Sequence, residues 1–296
     1  MRAEATPLAE PLPGGAEGSS VVVEPLEAGR AHFKPGHFEY QGRGPLGRLL
    51  ATAEVSESSV PVPAYLLRHP RAGAILVDTG LHPSVASDPR QNMGRVLGRY
   101  YRLEQGRGVP AQLRERGLDQ GQVAVVILTH LHGDHASAIS EFPESIFVFS
   151  AEEWRHATNV PRPWRHGYRY AHYDHAFDYR TVDFDADSID SYGSFGRSFD
   201  LFGDGSVRLV YTPGHTPGHV SVVCRLQRRD FVIAGDAAAT WRQLNGGPEP
   251  AVMADEHNWR RSLRELQAFH RSYPHAVIAP GHDQGFWEKL EDRYEE

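Results

Sequence analysis

The stretch that decides the fold is Thr129-His130-Leu131-His132-Gly133-Asp134-His135, with three imidazoles and one carboxylate within six positions. It follows residues 123–128, a short apolar run rich in β-branched side chains that predicts a buried strand. His130 and His132 come at the end of that strand, where residues two apart project to the same side. Because polar side chains buried there are costly without a common partner, the stretch predicts a metal site.

Further histidines and aspartates follow three later apolar runs. The run 207–211 leads into the motif TPGHTPGH at 212–219, the run 231–235 into Asp236, and the run 276–281 into His282. Strand ends in a layered α/β protein open onto one edge, where ligand sites are commonly built. Most of the 17 histidines in a chain of this kind are expected at the surface or in hydrogen-bonded core positions. Their recurrence at strand ends nevertheless favours metal binding.

These motifs resemble those of the metallo-β-lactamase superfamily and, within it, those of the N-acyl homoserine lactonases. The resemblance rests on HxHxDH at 130–135, TPGHTPGH at 212–219, GD at 235–236 and PGH at 280–282. It extends to similar segments at 60–69 and 75–82, and so covers about residues 20–285. It implies an α/β protein with the αββα sandwich of that superfamily, in which two mixed β-sheets pack face to face between helices.

The resemblance also implies two metal ions, the first held by His130, His132 and His215, the second by Asp134, His135 and His282, with Asp236 bridging them. In TPGHTPGH the first histidine is the implied ligand, and His219 is interpreted as a packing residue or as a partner of a ligand. Asp78, in the turn Val-Asp-Thr-Gly, is either an acceptor for a ligand imidazole or a turn residue only.

Five imidazoles and two carboxylates without a thiolate suit Zn²⁺, with Co²⁺, Mn²⁺ or Fe²⁺ as alternatives. Two such ions about 3.5–4 Å apart share a water and lower its pKa, supplying hydroxide for attack on a carbonyl. Asp134 or Asp236 would carry the proton to the leaving group, and the sequence does not choose between them. Cys224, the lone cysteine, is expected in the core.

The leading interpretation is a dinuclear metal-dependent hydrolase that opens the lactone ring of N-acyl homoserine lactones or related lactones, and thereby quenches quorum signalling. Lactonases usually carry a tyrosine three residues after the bridging aspartate, whereas this chain has Ala239. Either another group donates to the substrate or the substrate differs. The alternatives are therefore an esterase, a thioesterase like glyoxalase II, and a metal-binding protein without turnover.

The segment 153–202 concentrates aromatic residues and histidines, namely Trp154, Trp164, Tyr168, Tyr170, His172, Tyr173, His175 and Tyr179. It is interpreted as a lid-like segment that shapes an apolar pocket for the substrate. The alternative is that these rings only pack the segment onto the body of the protein.

Composition and charge lead to the remaining predictions, which concern partners, localisation and domain organisation. A formal net charge of −7 and the lack of a basic cluster argue against a nucleic-acid partner. A single cysteine and the lack of a long apolar run predict a cytoplasmic enzyme without a membrane span or signal sequence, acting on a small lactone or ester. A homodimer is left open. Residues 1–19 are predicted to be a mobile tail and residues 20–296 one domain.

Periodicity predicts strands near 20–26, 60–68, 73–78, 123–129, 145–149, 206–211, 219–226, 230–235 and 275–279. Helices are predicted at 109–116 and at 256–272, the latter with Asp255 as its N-cap.

Overall fold

The apolar runs of the sequence form strands in two sheets. The computed structural model describes residues 2–42, Gly47 and 55–296. Its strands are β1 Ala5–Pro7, β2 Val22–Phe33, β3 Val55–His69, β4 Gly73–Val77, β5 Tyr101–Arg102, β6 Val123–Ile127, β7 Ile146–Ser150, β8 Asp178–Val182, β9 Asp190–Tyr192, β10 Phe195–Asp200, β11 Val207–Tyr211, β12 Val220–Arg225, β13 Asp230–Gly235 and β14 Val277–Pro280. Its α-helices are Pro35–Phe38, Pro89–Met93, Val109–Glu115, Gly133–Ala136, Ala151–Asn159, Tyr170–Tyr173, Trp241–Leu244, Glu256–Ser272 and Gln284–Trp287.

Both sheets are mixed. The first has the strand order β1-β8-β7-β6-β4-β3-β2-β5, and the second has the order β14-β13-β12-β11-β10-β9. In the first sheet β4, β6, β7 and β8 run parallel, while β2 and β3 form a long antiparallel pair. In the second sheet only β13 and β14 run parallel. The edge strands β1, β5, β9 and β14 have only three, two, three and four residues.

Three apolar layers explain why the sheets stack. Alternate residues of both sheets, such as Ile127 and Val222, meet in a central core between them. The opposite face of the first sheet packs against the helix Val109–Glu115 and neighbouring turns. The opposite face of the second sheet packs against the helix Glu256–Ser272. The αββα sandwich implied by the sequence is confirmed.

The helix Glu256–Ser272 begins and packs as its sequence predicts. The Asp255 side chain accepts a hydrogen bond from the Asn258 amide at 2.9 Å, which caps the first turn. Trp259, Leu263 and Leu266 are buried on the stripe that faces the second sheet. Among the helices of the described residues, none combines the length and apolar character needed to cross a lipid bilayer.

The prediction of a mobile N-terminal tail at residues 1–19 is wrong for residues 2–19. β1 lies parallel to β8 and extends the first sheet by one strand. The backbone amide of Ala3 donates to Asp174, and the Leu12 amide donates to the Leu201 carbonyl at 2.7 Å. Backbone hydrogen bonds, which composition does not reveal, hold this Pro- and Gly-rich stretch on the body.

The prediction that 153–202 forms one lid is also wrong. The segment begins inside the helix Ala151–Asn159, contributes β8 to the first sheet, and contributes β9 and β10 to the second. Its rings mainly pack inward: Trp154 lies 5.5 Å from Phe149 and 5.4 Å from Tyr179, measured between ring centroids. The aromatic content arises from strand and core packing, and residues 160–177 are the longest stretch of the segment outside the sheets and the helix Ala151–Asn159.

Candidate metal centre

The ends of five strands meet at one edge of the sandwich, and each is followed by a residue of the site. Asp78 follows β4, and the stretch 129–135 follows β6 in the first sheet. In the second sheet the loop 212–219 follows β11, Asp236 follows β13, and His282 lies just after β14. The structure thus brings all seven residues of the implied ligand set into one place.

His130, His132 and His215 form a first group. One nitrogen of each ring lies within 4.8 Å of the corresponding nitrogens of the other two. His132 Nδ1 and His215 Nε2 are only 3.0 Å apart. Three ring nitrogens that face one another this closely are suited to a shared cation.

Asp134, His135 and His282 form a second group, and Asp236 lies between the two groups. His135 Nε2 and His282 Nε2 lie 3.8 Å and 3.7 Å from Asp134 Oδ2. Asp236 Oδ2 is 3.1 Å from His215 Nε2, while its Oδ1 is 3.3 Å from His282 Nε2. The two oxygens of one carboxylate therefore face different groups, as a bridge between two cations requires.

Hydrogen bonds at the outer nitrogens orient the imidazoles. His135 Nδ1 lies 2.8 Å from Asp78 Oδ2, and His282 Nδ1 lies 2.8 Å from the Pro61 carbonyl oxygen. Because Nδ1 donates in each case, the Nε2 lone pair faces the centre. Asp78 also accepts hydrogen bonds from the Thr129 amide and hydroxyl, and it adopts a left-handed φ of 60°. It is therefore both the turn residue and the acceptor that the sequence offered as alternatives.

His219 lies beside the centre but has no free nitrogen to offer. Its Nε2 accepts a hydrogen bond from the Asp236 backbone amide at 3.0 Å, and its Nδ1 lies 3.0 Å from the Thr212 hydroxyl. The ring is buried. His219 thus holds the backbone of Asp236, and His215 is the histidine of TPGHTPGH that faces the other ring nitrogens.

Unpartnered polar atoms test whether the centre fits metal ions. His130 Nε2, His135 Nε2 and Asp236 Oδ1 are buried and lack a hydrogen-bond partner among the described residues. Leaving such an atom unsatisfied costs roughly 1–3 kcal/mol. All three lie where the two groups meet, so divalent cations there would satisfy each of them.

The electrostatics of His132, His215 and the Asp236 carboxylate also suit cation binding. Burial lowers the pKa of His132 to about 3 and the pKa of His215 to about 4, so both rings are neutral. Burial opposes the charge of Asp236, but the nearby histidines, His282 foremost, hold its pKa well below the ordinary value. Neutral imidazole and ionised carboxylate are the forms that ligate metals.

Two functional candidates beside the centre were missed by the sequence reasoning. Tyr101, in β5, is buried, and its phenol interacts with the Asp134 carboxylate. It belongs to the same apolar cluster as Ala239, where the sequence lacks the expected tyrosine. Burial, followed by the charge of Asp134, raises the pKa of Tyr101 well above the ordinary value, so the phenol keeps its proton. A two-residue strand leaves no periodic signal by which it could have been found.

His37 is the second missed residue. Its ring stacks on Phe33 at 4.1 Å, and the adjacent Phe38 lies 5.1 Å from His282, measured between ring centroids. Its Nδ1 is buried without a hydrogen-bond partner in the described part of the chain. Burial and the neighbouring His282 lower the pKa of His37 to about 4. The aromatic wall formed by these rings bounds the centre on the side of His282.

Residues 160–177 bound the opposite side. The Tyr168 ring lies 5.2 Å from the His132 ring, and a Cβ added at Gly167 would lie 2.6 Å from the same imidazole. Trp164, in the same stretch, is 59% exposed. This short stretch is the part of the predicted lid that contacts the centre.

Comparisons with known proteins agree with this geometry. The Metallo-beta-lactamase superfamily matches residues 59–282, which span the whole centre. The chain therefore belongs to the metallo-beta-lactamase superfamily. Within it the chain is similar to the N-acyl homoserine lactonase AttM of Azorhizobium caulinodans, with 32% identity over 78% of this chain and 85% of that protein. AttM of Agrobacterium fabrum is 30% identical over the same shares of the two chains. The superfamily and the His/Asp groups together imply bound divalent metal ions.

A solved structure agrees with the fold. The crystal structure of a B. thuringiensis AiiA variant with N-decanoyl-L-homoserine bound at its active site has a TM-score of 0.74. The match covers 92% of this chain and 97% of that chain at 19% sequence identity. The likeness therefore concerns the path of the backbone through both sheets.

Proposed function

We propose that this protein is a dinuclear metal-dependent hydrolase that opens the lactone ring of N-acyl homoserine lactones. The observation that carries the proposal is the Asp236 carboxylate, whose two oxygens face His215 on one side and His282 on the other. The choice of substrate is supported by relatives at 30% and 32% identity that are named N-acyl homoserine lactonases.

The residues proposed to hold the metals are His130, His132 and His215 for one ion, Asp134, His135 and His282 for the other, and Asp236 for both. A set of imidazoles and carboxylates without thiolate favours Zn²⁺. When bound, such a pair supplies a water of lowered pKa and a Lewis acid for the ester carbonyl.

The chain's own groups would orient the substrate and move its protons. Tyr101 keeps its proton beside Asp134, and this O–H would turn from the carboxylate to a carbonyl oxygen of the bound substrate. Asp134 is the better of the two candidate proton carriers, because it interacts with this phenol and belongs to one group only, whereas the two oxygens of Asp236 face different groups. The proton that Asp134 accepts from the attacking water would pass to the leaving alkoxide oxygen.

The alternative of an esterase or thioesterase is favoured by Ala239, which cannot donate a hydrogen bond through its side chain. A substrate panel separates the two. Purified zinc-loaded protein is offered N-acyl homoserine lactones, aryl esters and glutathione thioesters, and acid release is followed at constant pH. We expect kcat/KM to be at least tenfold higher for the lactones, and a thioester preference would overturn the lactonase assignment.

Variants at Asp236 test the bridging role in the same assay. Asp236→Ala should reduce bound metal from two ions to one or none and abolish hydrolysis, because both groups lose a shared ligand. Asp204→Asn is the matched control, since that carboxylate binds Ala16, Ser206 and His69 away from the centre, and it should keep two ions. Two ions per chain in Asp236→Ala by elemental analysis would refute the bridge.

A further inference from the structure

A buried carboxylate outside the proposed ligand set lies directly behind the first group. Glu153 is 0% exposed and sits in the first turn of the helix Ala151–Asn159. No Lys or Arg of the described ranges forms an ion pair with it. Burying a carboxylate without a cation costs free energy of folding, so the burial of Glu153 needs a structural explanation.

Both loops that carry the first group donate hydrogen bonds to Glu153. Its Oε1 accepts from the Leu131 amide at 2.9 Å, and Leu131 lies between His130 and His132 in the chain. Its Oε2 accepts from the Thr216 hydroxyl at 2.6 Å and from the Gly218 amide at 3.3 Å. Thr216 directly follows His215.

The backbone of Glu153 is fixed as firmly as its side chain. The Ser150 hydroxyl accepts from the Glu153 amide at 3.0 Å and donates to the Gly218 carbonyl at 2.6 Å. A Cβ added at Gly218 would lie 2.0 Å from the Glu153 nitrogen, so the loop and the helix are in close contact. The carboxylate is therefore held at one place between the two loops.

We propose that Glu153 is a positioning residue for the metal centre. Its carboxylate ties the loop 129–135 of the first sheet to the loop 212–219 of the second, which sets the separation of His132 from His215. The inference rests on the metal-binding part of the proposed function and not on the identity of the substrate. Loss of this carboxylate weakens metal binding at the group His130, His132 and His215 more than at the group Asp134, His135 and His282.

Glu153→Gln tests the inference, because it keeps the shape of the side chain but replaces one acceptor oxygen with a donor. The backbone N–H of Leu131 or of Gly218 then points at the N–H of the new side-chain amide. Two donors cannot form a hydrogen bond, so one link between the loops is lost. Cobalt(II) is titrated into the purified, metal-stripped protein while its absorption bands are followed, and the wild type should take up two ions. In the variant one of the two uptake steps should weaken by roughly 10–100-fold, as for other residues that orient metal ligands.

Asp204→Asn is the matched control, because Asp204 is a carboxylate with three comparable donors away from the centre. It accepts from the amides of Ala16 and Ser206 at 2.9 Å and lies 3.1 Å from His69 Nε2. The control should lower the melting temperature while leaving both cobalt steps unchanged. Wild-type cobalt affinities in Glu153→Gln, or equal weakening of both steps, would overturn the positioning role.

Thr216→Val provides a second variant if Glu153→Gln does not fold. It removes one of the loop donors, so one cobalt step should weaken by a smaller factor, and unchanged affinities would overturn the inference. A wild-type protein that takes up no cobalt would overturn both the positioning role and the proposed function. A wild type that binds two ions but hydrolyses no lactone would refute the substrate assignment alone, and the cobalt comparison would still decide the role of Glu153.

Discussion

Tyr101 shows how a single side chain can supply what the sequence motif lacks. The residue three positions after Asp236 is alanine, yet a phenol from another strand lies beside Asp134 in the same apolar cluster. We therefore propose Tyr101 as the donor that the motif lacks at Ala239. A donor at Tyr101 would offset the support that Ala239 gives to an esterase or thioesterase.

We expect Tyr101→Phe to lower kcat/KM for lactones by about 10²-fold, the usual effect of removing one donor to a carbonyl oxygen. Bound metal should stay at the wild-type amount, because the phenol is outside the proposed ligand set. Tyr179→Phe is the control, since its buried hydroxyl lacks a hydrogen-bond partner among the described residues. Steady-state kinetics with elemental analysis of each variant makes the comparison, and equal kcat/KM for Tyr101→Phe and the wild type would exclude a substrate contact.

His172 makes stability depend on pH. Its Nε2 donates to the Asn92 carbonyl at 3.0 Å, its Nδ1 is buried without an acceptor, and burial lowers its pKa from 6.5 to about 4. Between these values the unfolded chain binds a proton there and the folded chain does not, so stability falls as the pH decreases. From pH 7 to 4.5 the wild type should lose roughly 2–3 kcal/mol more than His172→Gln.

Urea unfolding of both proteins at the two pH values measures this difference in the free energy of unfolding. His257→Gln is the control, because His257 is exposed on the helix Glu256–Ser272. The control should lose as much stability as the wild type. A wild type and His172→Gln that respond alike to pH would mean that His172 is charged in the folded protein.

At the scale of elements, close contact between the helix Ala151–Asn159 and the loop 212–219 requires a glycine. A Cβ at Gly218 would lie 2.0 Å from the Glu153 nitrogen and 2.5 Å from Ser150 Oγ. Gly218→Ala should therefore destabilise the protein by about 2–3 kcal/mol, the cost of overpacking.

The control for this prediction is Gly196→Ala in β10, where an added Cβ meets no atom within 4 Å. Thermal unfolding of both variants compares the costs, and Gly218→Ala should also bind the first metal more weakly because the loop carries His215. Equally small losses of stability in the two variants would show that the protein does not depend on close contact between this loop and the helix.

The strands and site residues differ in how well they can be predicted from the sequence. All nine predicted strands are present, because each has an apolar run, and the ligand set is readable because it follows those runs directly. β1, β5, β8, β9 and β10 were not predicted, since they are short or lie in stretches interpreted as tail or lid. Glu153, Tyr101 and His37 were missed for a related reason: they reach the centre through tertiary packing that no local pattern records.

At the scale of the whole molecule, we expect metal binding and folding to be coupled. The two sheets meet at a centre that leaves His130 Nε2, His135 Nε2 and Asp236 Oδ1 unpartnered. Metal present at about 1,000 times its dissociation constant stabilises the folded state by about 4 kcal/mol. For a chain of this size, chelation should lower the melting temperature by about 10 °C.

Differential scanning fluorimetry with and without EDTA measures that shift. Excess Zn²⁺ should restore the melting temperature, whereas Mg²⁺ and Ca²⁺ should not, because they prefer oxygen ligands. Asp236→Ala should show a smaller response to EDTA than the wild type. If EDTA left the melting temperature of the wild type unchanged, metal binding at the centre would not stabilise the folded protein.

The short strands at the borders of both sheets limit how copies of this protein can associate. β1, β5, β9 and β14 expose few free backbone groups, and Pro7 and Pro280 remove donors from two of them. Within the part of the chain that the structure describes, these short border strands therefore give another polypeptide little length for strand addition. We expect association of two copies by extension of either sheet to be disfavoured, so that pairing would use side-chain surfaces instead.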